Sequence, residues 1–146
     1  MWWYMAGPID MEPDKGAGWR DQLKKLCRGP NDIAFFDPVF PYSFNNLTDD
    51  VSQYIHDMNM MALEKAGGIV ARIMEGQSTI GTPIEMYEAK MKDKKMILIT
   101  NMKKSVYIKY LSKDAKVTDT VDGAYEHILN LENPVPEELR HLRVGK

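Results

Sequence analysis

Residues 67–100 read GGIVARIMEGQSTIGTPIEMYEAKMKDKKMILIT, and their punctuation decides the fold. Gly67-Gly68 opens Ile69 to Ile73, an apolar run of strand length. Met96 to Thr100 is another, and its unbroken apolar character suits a central parallel strand covered on both faces. Thr82 to Lys92, between them, reads as a helix. Strand, helix and strand in that order, with short connections, are the unit of a parallel sheet.

The pattern extends in both directions. Trp2 to Ala6 is a short buried strand ended by Gly7-Pro8. Gly18 to Arg28 carries Trp19, Leu23, Leu26 and Cys27 at helical spacing, and Gly29-Pro30 stops it. Ile33 to Phe36 is a second strand closed by Asp37-Pro38, and Val39 to Asn46 is an aromatic, turn-rich loop. Thr48-Asp49-Asp50 caps a long helix to Ala66, with Val51, Tyr54, Ile55, Met58, Met61 and Ala62 at three- and four-residue spacing. Beyond Thr100 come a short helix at Ser105 to Ser112, a weak strand at Ala115 to Thr118 and a helix at Val121 to Leu131. The reading is therefore one doubly wound α/β domain over 1–131, with a mainly parallel five-stranded sheet and a charged, proline-bearing tail over 132–146. In such sheets ligands bind beyond the carboxyl ends of the strands. Ala6 to Asp10, Asp37 to Phe44 and Arg72 to Gly81 lie there.

Composition narrows the function classes. The 146 residues are 44% hydrophobic and 27% charged, and the net charge of −2 gives no nucleic-acid footprint. One cysteine, Cys27, allows no internal disulfide and favours a reducing, cytoplasmic setting. Its place on an amphipathic helix suits a structural thiol. No apolar run approaches the roughly 18 residues of a membrane span, and no signal-peptide pattern is present. His56, His127 and His141 lack ligand spacing, so no metal is expected, and no cofactor is implied. No P-loop motif occurs. The first strand lacks both the acidic pair of a phosphoacceptor site and a hydroxyl-rich flavin phosphate loop.

Within the quoted stretch, Gly76 to Ala89 carries the chemistry. Gly81 can adopt angles other residues avoid, Thr82 can cap a helix, and Pro83 suits its first position. Free N–H groups at such a start can hold an anion. Glu85 would sit in the first turn, kept ionised by N–H donors and the helix dipole, as a nucleophile requires. Thr82-Pro83-Ile84-Glu85 equally fits a capping box, in which the Glu only bonds back to the cap.

With these segments in hand, the chain resembles the nucleoside 2-deoxyribosyltransferase superfamily, which includes nucleoside 5′-phosphate N-glycosidases. The resemblance rests on Tyr4-Met5-Ala6-Gly7-Pro8-Ile9, on Asp37-Pro38, on Tyr54 to Val70, and on Gly81 to Ala89 as G-x-x-x-E-x-x-x-A. It covers roughly the first 100 residues and implies a flavodoxin-like sandwich that cleaves the bond between a base and C1′ of (deoxy)ribose. It makes Glu85 the nucleophile that forms a glycosyl-enzyme ester and Tyr4 its orienting neighbour. Asn59 stands where the family has an Asp that serves the leaving base. An Asn hydrogen-bonds a base but does not donate a proton as an acid does. Asp57, two residues earlier, is about 200° around the helix and does not replace it. His56 is nearly on the Asn59 face and reads either as a titrating group or as a surface histidine. Gly67 stands where the family usually has an Asp.

The resemblance also implies a substrate pocket from Gly7, Pro8, Ile9, Asp10, Ser78, Thr79 and Gly81. Hydroxyls at 78 and 79, where transferases of the family carry an acid, favour a 5′-phosphate. Pro8, which has no N–H, counts against it. Arg20 either reaches that phosphate or sits on the surface, and Arg72 is the other candidate. Phe40, Tyr42 and Phe44 are placed to stack on a base, whereas Trp2 and Trp3 suit the core. The family's members assemble as dimers or larger, and the Met58, Met60 and Met61 face suits such an interface or the core. The alternative reading is a non-catalytic nucleotide-binding or sensing module on the same fold.

Overall fold

A computed structural model describes residues 1–9, 12–29, 33–39, 48–77 and 79–133. The chain runs β1 (Trp2–Ala6), α1 (Ala17–Leu26), β2 (Ala34–Phe36), α2 (Asp49–Lys65), β3 (Gly68–Arg72), α3 (Gly81–Met91), β4 (Lys95–Ile99), α4 (Val106–Ser112), β5 (Ala115–Thr118) and α5 (Val121–Glu132). The five strands form one parallel sheet in the order β2-β1-β3-β4-β5. The doubly wound α/β reading holds, with element ends displaced by one or two residues.

Side-chain alternation divides the core in two. Tyr4, Ala6, Ile69, Ala71, Met96 and Leu98 point to one face and meet Ala62 and Leu63 of α2, Met86 and Ala89 of α3, and Ile108 and Leu111 of α4. Trp3, Met5, Val70, Ile97 and Ile99 point to the other and meet Trp19 and Leu23 of α1 and Val121, Ala124 and Ile128 of α5. Helices cover both faces, which is why the central strands are apolar between their ends, with Arg72 closing β3 and Lys95 opening β4.

β3 begins at Gly68 rather than Ile69 because the register pairs Gly68 with Trp3 and with Lys95. A Cβ at Gly68 would stand 2.5 Å from the Trp3 ring. Three helices carry hydroxyl caps: Thr48, as expected, and also Ser105 and Thr120 accept from the N–H groups of Val51, Ile108 and Gly123. Cys27 is buried against the α1 face, and burial pushes its thiol up to about 11, so it is a packing residue. Trp3 donates its indole N–H to Glu132 Oε1 at 2.7 Å, which ties the last turn of α5 to β1. Among the described residues no helix is long and apolar enough to cross a membrane.

The strand order changes direction between β1 and β3. The turn after β1 (7–9) and the segment after β3 (73–77) flank that crevice, where α/β sheets bind ligands.

Candidate active site

Glu85 lies on α3 and Tyr4 in the middle of β1, on the same face of the sheet. The Tyr4 hydroxyl donates to Glu85 Oε1 at 2.7 Å. Tyr4 is fully buried, and its ring stacks on Phe36, its register partner in β2, with centroids 5.5 Å apart and planes 16° apart. The phenol is thus held by its ring, and the carboxyl is held by the phenol.

The helix start differs from the sequence reading. α3 begins at Gly81 with Ile80 in the cap position, and no side chain caps it. Thr82 is already inside the first turn, and its Oγ1 accepts from the Thr79 hydroxyl at 2.9 Å. Glu85 falls one residue beyond that turn, which holds no acid. The capping box therefore does not form, and the Glu85 carboxyl is turned to Tyr4. Gly81 is helical rather than left-handed, and a Cβ there would meet nothing, so its conformational freedom is not used. The positive φ in this segment is at Gly76, at 80°.

The expectation that the helix start keeps Glu85 ionised is also overturned. Burial pushes its pKa up to about 7, while the Tyr4 hydrogen bond and the positive charge of Arg20 pull the other way. Glu85 is partly exposed as a residue, yet its carboxyl end meets a fully buried phenol, and the loss of water there outweighs both partners.

Arg20 is neither on the surface nor open to a phosphate. It is fully buried in α1, with Nη1 donating to Gly16 O at 2.8 Å and Nη2 to Gly7 O at 3.0 Å. Its Nε stands 3.5 Å from Asp37 Oδ1 at the end of β2, and its guanidinium lies over the Trp19 ring, 4.9 Å from the centroid. Arg72 donates to Gln77 Oε1 at 3.3 Å and lines a 240 Å³ cavity with Pro8, Trp19 and Gln77. Trp19 and its helix belong to the other face of the sheet, away from Glu85.

Asn59 is buried on α2, the neighbour of α3, and its Oδ1 has no donor among the described residues. His56 and Asp57 are exposed and pair with each other at 3.1 Å, so His56 is a surface histidine. Gly7 packs under Trp19, and Pro8 and Ile9 are buried in the turn after β1. Asp10, Phe40, Tyr42, Phe44 and Ser78 lie outside the described residues. Trp3 is core, and Trp2 is half-buried 6.2 Å from Phe36. Met60 packs on the core, while Met61 is exposed.

Two contributors escaped sequence reasoning. Phe36 was only a strand residue until the register set it beside Tyr4. Asp37 marked a strand end, yet its carboxylate gathers Lys24 at 2.7 Å, the Val39 N–H at 3.1 Å and Arg20.

No family model matches the chain, and no curated protein matches it. Solved structures do. A 2-deoxyribosyltransferase from Leishmania mexicana is 20% identical with a TM-score of 0.68, covering 92% of this chain and 99% of its own. A 2-deoxyribosyltransferase from Bacillus psychrosaccharolyticus, described as a biocatalyst for nucleoside synthesis, is 11% identical with a TM-score of 0.69, covering 86% and 90%. A conserved protein from Enterococcus faecalis V583 is 14% identical with a TM-score of 0.68, covering 90% and 98%. The chain has the fold of the 2-deoxyribosyltransferases over nearly its whole length.

Proposed function

We propose that this protein cleaves the N-glycosidic bond of a (deoxy)nucleoside or nucleoside 5′-monophosphate, with Glu85 as nucleophile. The observation that carries the reading is the Tyr4–Glu85 hydrogen bond, which joins β1 to α3, in a chain with the 2-deoxyribosyltransferase fold. A lone pair of the Glu85 carboxylate attacks C1′ as the C1′–N bond breaks, and the bonding pair leaves on the base nitrogen. Water or a second base then attacks C1′ and expels the carboxylate. Tyr4 aims one carboxylate oxygen, leaving the other for attack. A pKa of about 7 leaves Glu85 about half ionised at neutral pH.

Asn59 supports recognition of the base. Its Oδ1 is a buried acceptor with no donor among the described residues; such an atom costs about 1–3 kcal/mol, which an N–H of a bound base would offset. Support for a 5′-phosphate comes from the hydroxyl residues at 78 and 79, since Arg20 has its donors on main-chain carbonyls.

A second copy of the chain completes the proposal. Ile80, Ile84, Tyr87 and Met91 form an exposed apolar stripe along α3 and its cap, at helical spacing, and Tyr54 and Met61 are exposed on α2. Such a stripe beside a candidate site suits a homodimer interface.

The test is free base, followed by chromatography, from a panel of deoxynucleosides and their monophosphates with and without an acceptor base. Base release from one of them is expected, and release from none overturns the reading. A new nucleoside with acceptor identifies a transferase, and release only from monophosphates identifies a nucleotide hydrolase. One observation favours a non-catalytic nucleotide-binding module instead, the neutral Asn59 where a leaving base would need a proton. Under that reading Glu85→Ala leaves function intact, whereas an N-glycosidase loses base release.

A further inference from the structure

We infer that this protein carries a second binding site, for a small phosphomonoester, in a lysine-lined groove beyond the carboxyl ends of β4 and β5. This second site stands independently of the Glu85 reading.

Two cavities meet there. One, of 480 Å³, lies among the loop after β4, α4 and the end of β5, and Lys103, Lys109 and Lys113 line it with a single acid, Asp119. The other, of 380 Å³, lies between the segment after β3 and the loop after β4, and Lys103 and Lys104 line it with Glu75. They share Met102 and Lys103, so they adjoin along one groove with four ammonium groups against two carboxylates. Its place is the side of the sheet where α/β folds bind ligands. Neither cavity is lined by Tyr4, Asn59 or Glu85, so the groove is separate from the candidate active site.

The charges in the groove lack what other lysines of this chain have. Lys24 pairs with Asp21 and Asp37, Lys90 with Asp114, and Lys92 with Glu64. Lys103, Lys104, Lys109 and Lys113 are exposed and have no carboxylate within 4 Å among the described residues. The chain as a whole is at −2, so this is a local excess of positive charge, and a concave wall focuses its field on an anion. Ammonium groups bind phosphate as point charges.

A buried hydroxyl adds a donor. Thr100 is 5% exposed and lines the larger cavity. Its Oγ1 accepts from the Met102 N–H at 3.0 Å, which leaves the hydroxyl hydrogen to donate to an anion oxygen. Beside the lysines the wall is apolar. Met102, Ile108 and Val117 line it, and Val117, on the edge strand β5, is 45% exposed. That surface takes the body of a phosphate ester, which a free ion would leave uncovered. Glu75 lines one cavity and Asp119 the other, so a long polyanion tracking the groove would meet both acids.

The test follows backbone amide resonances of the full-length protein during titration with inorganic phosphate and with phenyl phosphate, which has no glycosidic bond to cleave. Saturable shifts are expected at Lys103, Lys109, Lys113 and Thr118, with phenyl phosphate bound roughly tenfold more tightly through its ring. Lys109→Gln with Lys113→Gln should weaken both about tenfold, and Asp119→Asn should strengthen both about threefold. All three side chains are exposed, so circular dichroism should show the fold unchanged. Shifts confined to other residues, or affinities that ignore these substitutions, overturn the inference. Equal affinity for the two probes overturns the phosphomonoester and leaves free phosphate. A single-stranded oligonucleotide that shifts these amides when neither phosphate does overturns the site in favour of a nucleic-acid surface.

Discussion

The phenol of Tyr4 donates to the carboxylate of Glu85 across 2.7 Å, joining the middle of a central strand to a helix 81 positions further along the chain. Tyr4 is fixed by burial and by Phe36, so the hydrogen bond fixes Glu85 in turn. The pair sets two opposing influences on one carboxyl group. Burial favours the acid, and the phenol favours the anion.

Base release should therefore follow the ionisation of Glu85. The value of kcat/KM is expected to rise tenfold per pH unit below pH 7 and to level off above it. Tyr4→Phe removes a hydrogen bond to the charged form, so the rising limb moves up by about one pH unit. Glu85→Gln lowers kcat roughly a thousandfold or more at every pH. A limb that stays in place in Tyr4→Phe would separate the phenol from the ionisation.

The same carboxyl couples folding to pH. Its folded pKa lies above the unfolded one, so the native state binds more protons between about pH 4.5 and 7. Stability is then lost as pH rises through that window and is flat beyond it. Glu85→Gln, which has no proton to lose, should gain on the natural protein by about 3 kcal/mol between pH 4 and pH 8. Urea melts at the two pH values measure this, and equal differences at both would contradict it.

Gly16 is the position where a methyl group should do most harm per atom. Its φ of 71° disfavours any side chain, and a Cβ would lie 2.3 Å from Pro8 O and 2.4 Å from Arg20 Nη1. Gly16→Ala is expected to cost roughly 2–4 kcal/mol in denaturant unfolding. Gly81→Ala, on a helical residue with open space around it, should be neutral or slightly stabilising.

The stripe on α3 makes a prediction about assembly. The natural protein at micromolar concentration should scatter light as a dimer. Tyr87→Glu with Met91→Glu, both exposed and both beyond Glu85 along the helix, should halve the mass and leave the fold intact by circular dichroism. A natural protein that is already monomeric would remove the interface from the proposal.

The order of elements was legible in the sequence because a strand covered on both faces must be apolar at each position, and the glycines, prolines and hydroxyl caps between such runs are local signals. Met96 to Ile99 and Ile69 to Arg72 lie inside strands that a reader of the chain finds unaided. Glu85 stood out as a candidate because a carboxylate near a helix start is a local feature as well. What the tertiary structure alone decided is the state and company of that carboxylate. Ile80, not Thr82, opens the helix, so Glu85 turns to Tyr4 instead of back to its own cap. Its proton affinity depends on desolvation by distant segments, and the burial of Arg20 depends on carbonyls at Gly7 and Gly16 and a carboxylate at Asp37. Chain spacing encodes which faces an element has. The field at an atom is summed over everything packed around it, and that sum exists only once the chain has folded.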